Sequence, residues 1–203
     1  IYVNFGKALQ AYIRKLISRN APFDRFVAGD RGAISAAAVR GLRLFVGKAL
    51  CIGCHRGPTF SDDAFHATGV PQSGPHVPPV DLGRFQDVPA LLSSPFNSNG
   101  PYSDDRKTGK LQGLSQQESQ RGQFRTKSLR NIVASGPYMH AGQLATLSDV
   151  MHFYKVGGGD VKGTGIVKDP IMMPLDLTAQ DEADLVEFVQ TLSGGDPLPA
   201  SLL

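Results

Sequence analysis

The chain has 203 residues, a net charge of +3 and an ordinary apolar fraction of 41%. That length allows one good-sized domain or two small ones, and no apolar run is long enough for a transmembrane helix. Gly (23) and Pro (14) are frequent enough to imply many loops around a modest core, but the patterned apolar residues argue against disorder. Charge is uneven: residues 1–50 hold nine Lys/Arg against two acids, and residues 151–203 hold three against eight. Such a dipole would steer a charged partner, although two solvated faces are the simpler reading. No nucleic-acid-binding motif accompanies the basic end.

Phe5, Leu9, Tyr12, Ile13, Leu16 and Ile17 fall on one helical face, which predicts a first helix ending near Ser18. That face needs something to pack against. The stretch shows no initiator Met and no signal peptide, so further sequence is expected upstream. A short helical turn over "FDRFVAGD" comes next. Ser35 then reads as the N-cap of "AAAVRGLRLFVGKA", whose stripe is Val39, Leu42, Leu44, Phe45 and Val46. This helix delivers the chain directly into "CIGCH".

From about Ser61 to Gln123 the chain reads as irregular, rich in Gly, Pro, Ser and Asn. A loop of that length in a compact protein usually serves function, and a large rigid cofactor would give it something to wrap. "KSLRNIVAS" predicts a short helix. "TLSDVMHFYKV" predicts another, with Thr146 and Asp149 in capping-box spacing. "TAQDEADLVEFVQTLSGG" repeats the device with Thr178 and Asp181; Leu185, Phe188, Val189 and Leu192 form its buried face, and Gly194-Gly195 ends it. No internal repeat or convincing strand is present, so the expected class is mostly α with long irregular loops.

The chain's two cysteines, Cys51 and Cys54, precede His55 as C-x-x-C-H, the attachment signature of a c-type haem. Two thiols so spaced at a helix start reach the two vinyl groups of one porphyrin, and the adjacent His falls under the iron as its proximal ligand. A zinc site needs two further ligands at suitable spacing. No second Cys pair exists, and His66 and His76 stand in loop sequence without an H-x3–5-H pattern. A thioredoxin-like pair needs a βαβ setting, which is absent. Haem c is therefore the expected cofactor. Covalent attachment implies a bacterial periplasm or an equivalent compartment.

The sixth iron ligand is less determined. Met139, Met151, Met172, Met173, His66, His76, His140, His152 and several tyrosines qualify chemically. Axial identity sets the potential and decides between electron transfer and small-molecule activation. Met173, in "IMMPLDLTAQDEADLVEFV", has the Met-Pro form common before the last helix of small mono-haem cytochromes; gap-filling in a core is the ordinary use of a Met.

The ordered set "GLRLFVGKALCIGCHRGPTFSDDAFHATGVP", "DLGR", "FRTKSLRNIVASGPYMHAGQLATLSDVMHFYKVGGG" and "LTAQDEADLVEFVQTLSG" resembles the di-haem cytochrome c peroxidase family, above all its MauG-containing branch. The resemblance runs from about Ile1 to Gly194. It implies that residues 1–30 are the terminal helical part of an N-terminal haem domain whose remainder lies upstream. It further implies that 31–203 form a C-terminal cytochrome c-like haem domain. In the family the first haem reacts with peroxide and the second relays or stores electrons, so no catalytic residue is carried onto this chain. The second haem's distal ligand is Met in peroxidases proper and Tyr in the MauG-like branch. The matching position, fourteen after His140, is Tyr154, with Met173 and Met139 as alternatives. The family also binds calcium between its domains, here through the backbone carbonyls of Ser135 and Pro137. Arg84, Arg125 and Arg130 are then candidates to pair with haem propionates. Phe60, Phe65, Phe124, Leu129, Tyr138 and His140 are candidates for the pocket wall. Lys127, Ala141 and Ser135 depart from the family's usual Pro, Asp and Thr. The implied partners are the upstream haem domain, or a separate chain carrying it, and a redox protein donor or substrate. The residues alone also permit a mono-haem electron carrier docking on a dehydrogenase or membrane complex, its basic end serving as the docking face.

Overall fold

A computed structural model describes residues 1–196; residues 197–203 of the expected second domain lie outside the described residues. The expected mostly-α class holds. Six helices, α1 (Tyr2–Ile13), α2 (Pro22–Val27), α3 (Ala36–Val46), α4 (Arg84–Ser93), α5 (Leu147–Lys155) and α6 (Ala179–Gln190), are joined by long connections. Short 3-10 turns lie at Cys51–Gly53, Glu118–Gln120 and Ile132–Ser135. One antiparallel pair, β1 (Phe65–Ala67) and β2 (Gln123–Arg125), sets Phe65 opposite Arg125, His66 opposite Phe124 and Ala67 opposite Gln123.

The core is the crossing of α3 with α6. Ser35 caps α3 by accepting from Ala38 N at 3.0 Å, and the helix buries Ala38, Gly41 and Phe45. Gly41 is where the two backbones touch: a Cβ there would lie 1.9 Å from the Asp184 carbonyl oxygen. Beside this contact Arg40 donates two hydrogen bonds to the buried Asp184 carboxylate, at 2.6 and 2.7 Å, and Gln180 adds a third at 3.0 Å. A buried carboxylate so partnered does not bear the penalty of an unpaired charge. Leu185, Phe188, Val189 and Leu192 are buried as their spacing predicts, joined by Phe45, Phe60, Leu147, Met151 and Leu177. Phe23, Phe45, Phe60 and Phe188 meet edge to face with centroids 5.1 to 6.4 Å apart, the arrangement their ring quadrupoles favour.

Both capping boxes form. Thr178 accepts from Asp181 N at 3.1 Å, and Asp181 accepts from Thr178 N at 2.9 Å; Thr146 and Asp149 repeat the pattern at 3.1 and 2.9 Å. Thr178→Ala should therefore lower stability by about 1 kcal/mol, read as a lower urea midpoint of the haem-loaded protein with an unchanged slope.

The helix expected over "KSLRNIVAS" is reduced to the 3-10 turn at Ile132–Ser135, and Val46 of the expected α3 stripe is exposed. Three further details differ from expectation. First, α1 ends at Ile13, and its stripe stays exposed: Phe5 is 67%, Ile13 54% and Ile17 53% accessible. Its contacts reach the 94–105 segment, with Tyr2 edge-on to Phe96 and Lys7 paired to Asp104. Second, the irregular stretch contains α4, which holds Pro89 in its interior. Proline lacks the N–H that would bond the Phe85 carbonyl, and the Gln116 side-chain amide donates to that oxygen instead, at 2.9 Å. Third, the two strands are three residues each, too short to show a period. At the start of α2, Ala21 and Phe23 pack on the core. Ala21 is fully buried, Phe23 N donates to Thr191 O, and Phe23 joins the aromatic cluster.

Candidate functional site

After α3 the chain turns through Leu50 in the left-handed region (φ 57°) into the Cys51–Gly53 turn. His55 N donates to Cys51 O at 2.8 Å, so both thiols and the imidazole project from one compact turn. The cysteines are not joined to each other. Burial pushes the Cys51 thiol up to about 12; burial and the carboxylates of Asp62 and Asp169 push Cys54 up to about 11. Both thiols are neutral near pH 7.

His55 Nδ1 lies 2.9 Å from the Phe60 carbonyl oxygen. Nδ1 therefore carries the proton and donates, which leaves the Nε2 lone pair free for a metal; Nε2 has no partner among the described residues. Burial lowers the His55 pKa and keeps the ring neutral. Phe60 itself is left-handed (φ 53°) and buried. Its ring sits in the aromatic cluster, and its carbonyl orients His55. The sequence suggested only an aromatic wall for Phe60, because nothing in a residue's identity announces a carbonyl's direction.

α5 brings Tyr154 to the cysteine turn. Its hydroxyl makes no hydrogen bond among the described residues, and burial, with Cys51 and Cys54 as its electrostatic neighbours, pushes the phenol above its usual range. The methionines are placed otherwise. Met151 belongs to the core, Met173 is 53% exposed with its backbone against Gly157, Met172 packs its methyl toward Gly158, and Met139 takes φ 70° in the "PYMH" turn.

His66 is held between two carboxylates, with Nδ1 2.7 Å from Asp169 and Nε2 3.1 Å from Asp62. Asp62 also accepts from Ala64 N at 2.9 Å, and these hydrogen bonds outweigh its burial and hold it at about 2. With both nitrogens so engaged, His66 is not free to bind iron. Asp62 and Asp169 escaped the sequence reading; the signal available was only the i, i+4 spacing of Asp62 and His66.

The remaining candidates are dispersed. Arg130 binds Asp24 at 2.8 Å and the Pro58 carbonyl at 3.0 Å, tying α2 to the cysteine loop. Arg125 pairs with Asp63 at 2.7 Å, and Arg84 lies over the Phe65 ring at 4.7 Å. Phe124 stacks on His140 at 3.6 Å, and His140 Nε2 meets Asp81 at 2.9 Å. Leu129 and Tyr138 pack against the core. Ser135 and Pro137 flank Gly136 at the surface.

This donor set fits a covalently held haem. It offers two neutral thiols on one turn, a neutral imidazole whose Nε2 is unclaimed among the described residues, and the Tyr154 phenol with those thiols as its electrostatic neighbours. Over 193 residues the chain is 41% identical to cytochrome-c peroxidase IdrP1 of Denitromonas iodatirespirans, a match covering 94% of this chain and 50% of that protein. It is 36% identical over 191 residues to the methylamine utilization protein MauG of Methylophilus methylotrophus, covering 93% of this chain and 46% of that protein. The chain belongs to the cytochrome-c peroxidase/MauG family. A solved MauG-like protein associated with microbial copper homeostasis superposes with a TM-score of 0.65 at 27% identity, covering 91% of this chain and 55% of that one. The chain thus spans about half the length of the cytochrome-c peroxidase and MauG relatives it matches. No protein-family model matches it.

Proposed function

We propose that this chain is the c-type haem electron-transfer domain of a periplasmic di-haem peroxidase or MauG-type oxidoreductase. It relays or stores electrons for peroxide reduction at a second haem held outside residues 1–203. The observation that carries the reading is that Cys51, Cys54 and His55 share one turn, with the His55 Nδ1 held by the Phe60 carbonyl and Nε2 without a hydrogen bond among the described residues, while Tyr154 on α5 has the two thiols as its electrostatic neighbours. When bound, the haem supplies a one-electron redox centre. Cys51 and Cys54 hold it through thioethers, and the Phe60 carbonyl fixes the His55 tautomer. Tyr154 gives up its proton only where a cation replaces it. As phenolate it is a hard anionic donor that favours the oxidised centre and lowers the potential. That suits a centre sharing oxidising equivalents better than a simple carrier.

The test is haem per polypeptide, by mass, on the intact native protein, together with peroxide-dependent oxidation of a reduced small cytochrome. Two haems and turnover are expected. One haem and no turnover would replace this reading with the mono-haem carrier.

A further inference from the structure

Asp62, His66 and Asp169 form a cluster that the proposed function leaves unused. A neutral imidazole has one N–H and one lone pair. Here both ring nitrogens face carboxylate oxygens, at 2.7 and 3.1 Å, so a neutral ring would set its lone pair against an anion. The ring therefore carries both protons, and the cluster is one positive charge between two negative ones. The three side chains come from separate segments: Asp62 follows the cysteine turn, His66 lies on β1, and Asp169 lies on the connection to α6. They are 4%, 21% and 28% exposed, which leaves their fields less screened than those of surface charges. Arg56 also faces the cluster, 4.0 Å from the Asp62 carboxylate.

The cluster's place matters. The Cys54 sulfur, an Asp62 oxygen and a His66 nitrogen all lie within 4.8 Å of one another. Three such donors would otherwise suggest a small metal site, but both His66 nitrogens are already engaged and the Cys54 sulfur is the atom joined to the porphyrin edge in the function proposed above. We propose that the Asp62–His66–Asp169 triad is a built-in charge group that sets the reduction potential of the haem held at Cys51 and Cys54. This rests on the haem reading. The imidazolium favours the reduced centre, and the carboxylates favour the oxidised one.

Removing charges of opposite sign must then move the potential in opposite directions. His66→Gln leaves two carboxylates around a neutral amide and should lower the midpoint; Asp169→Asn leaves a neutral Asp62–His66 pair and should raise it. A role confined to packing gives a different signature, because either change opens the same clamp and both shifts share one sign. The experiment is a spectroelectrochemical titration of the intact haem-loaded protein at pH 7, preceded by a pyridine haemochrome assay for thioether-bound haem. Shifts of opposite sign are expected. Equal-sign or absent shifts with covalent haem present overturn the charge role alone. Absence of covalent haem in the unmodified protein overturns both readings. If His66→Gln fails to take up haem, His66→Lys keeps the charge and should stay near the unmodified midpoint while Asp169→Asn rises; equal movement of the two overturns the proposal.

Discussion

Gly41→Val should prevent the core from closing. A Cβ at Gly41 would lie 1.9 Å from the Asp184 carbonyl oxygen and 2.8 Å from Phe188 Cβ. The first obstruction is backbone within a helix, so no rotamer change relieves it, and α3 and α6 must separate. Separation strips the Phe45–Phe188 contact, now 5.1 Å between centroids, and pulls Arg40 from Asp184, leaving a buried carboxylate short of its cation. Overpacking a core typically costs about 1–3 kcal/mol. Here the loss of packing adds to it, and the total exceeds about 3 kcal/mol, a large part of the roughly 5–15 kcal/mol that holds a domain folded. The expected readouts are loss of cooperative unfolding by circular dichroism and failure to retain haem. An unchanged denaturation midpoint in Gly41→Ala, the smallest such change, would contradict this view of the crossing.

The second large effect is on haem retention. Replacing both Cys51 and Cys54 by Ser should abolish haem that survives acidified-butanone extraction. A hydroxyl does not add to a vinyl group as a thiol does, and the turn offers no third sulfur. The helix content should persist, because the core cluster is built mainly from α3, α5 and α6 and takes Cys51 only as a partly buried neighbour. Single replacements should each keep extraction-resistant haem through the remaining thioether, with a shifted pyridine haemochrome band. Full retention in the double variant would place attachment elsewhere.

Much of this was legible in the sequence. C-x-x-C-H gave the cofactor because the chemistry demands that spacing. Thr146/Asp149 and Thr178/Asp181 gave two helix starts because capping is local. The face of Leu185, Phe188, Val189 and Leu192 gave the core because period alone specifies it. The failures have equally physical causes. α4 was hidden by Pro89, whose freed carbonyl is satisfied by Gln116, far away in the chain. β1 and β2 are too short to carry a pattern. The Phe60 carbonyl, the Asp62–His66–Asp169 cluster and the Arg130–Asp24 pair are long-range or backbone features that no local motif encodes. The stripe on α1 is apolar in the sequence, yet it remains exposed, so periodicity identifies a helix without identifying its partner.

In the proposed function His55 and Tyr154 are the residues that would hold the haem iron. The ferric visible and near-infrared spectrum of the intact haem-loaded protein, compared with Tyr154→Phe and Met173→Ala, decides this. The expected result is no Met–iron near-infrared band in the unmodified protein, no change in Met173→Ala, and a changed spectrum with a raised potential in Tyr154→Phe. A Met–iron band that vanishes in Met173→Ala, or an unchanged Tyr154→Phe spectrum, would contradict it.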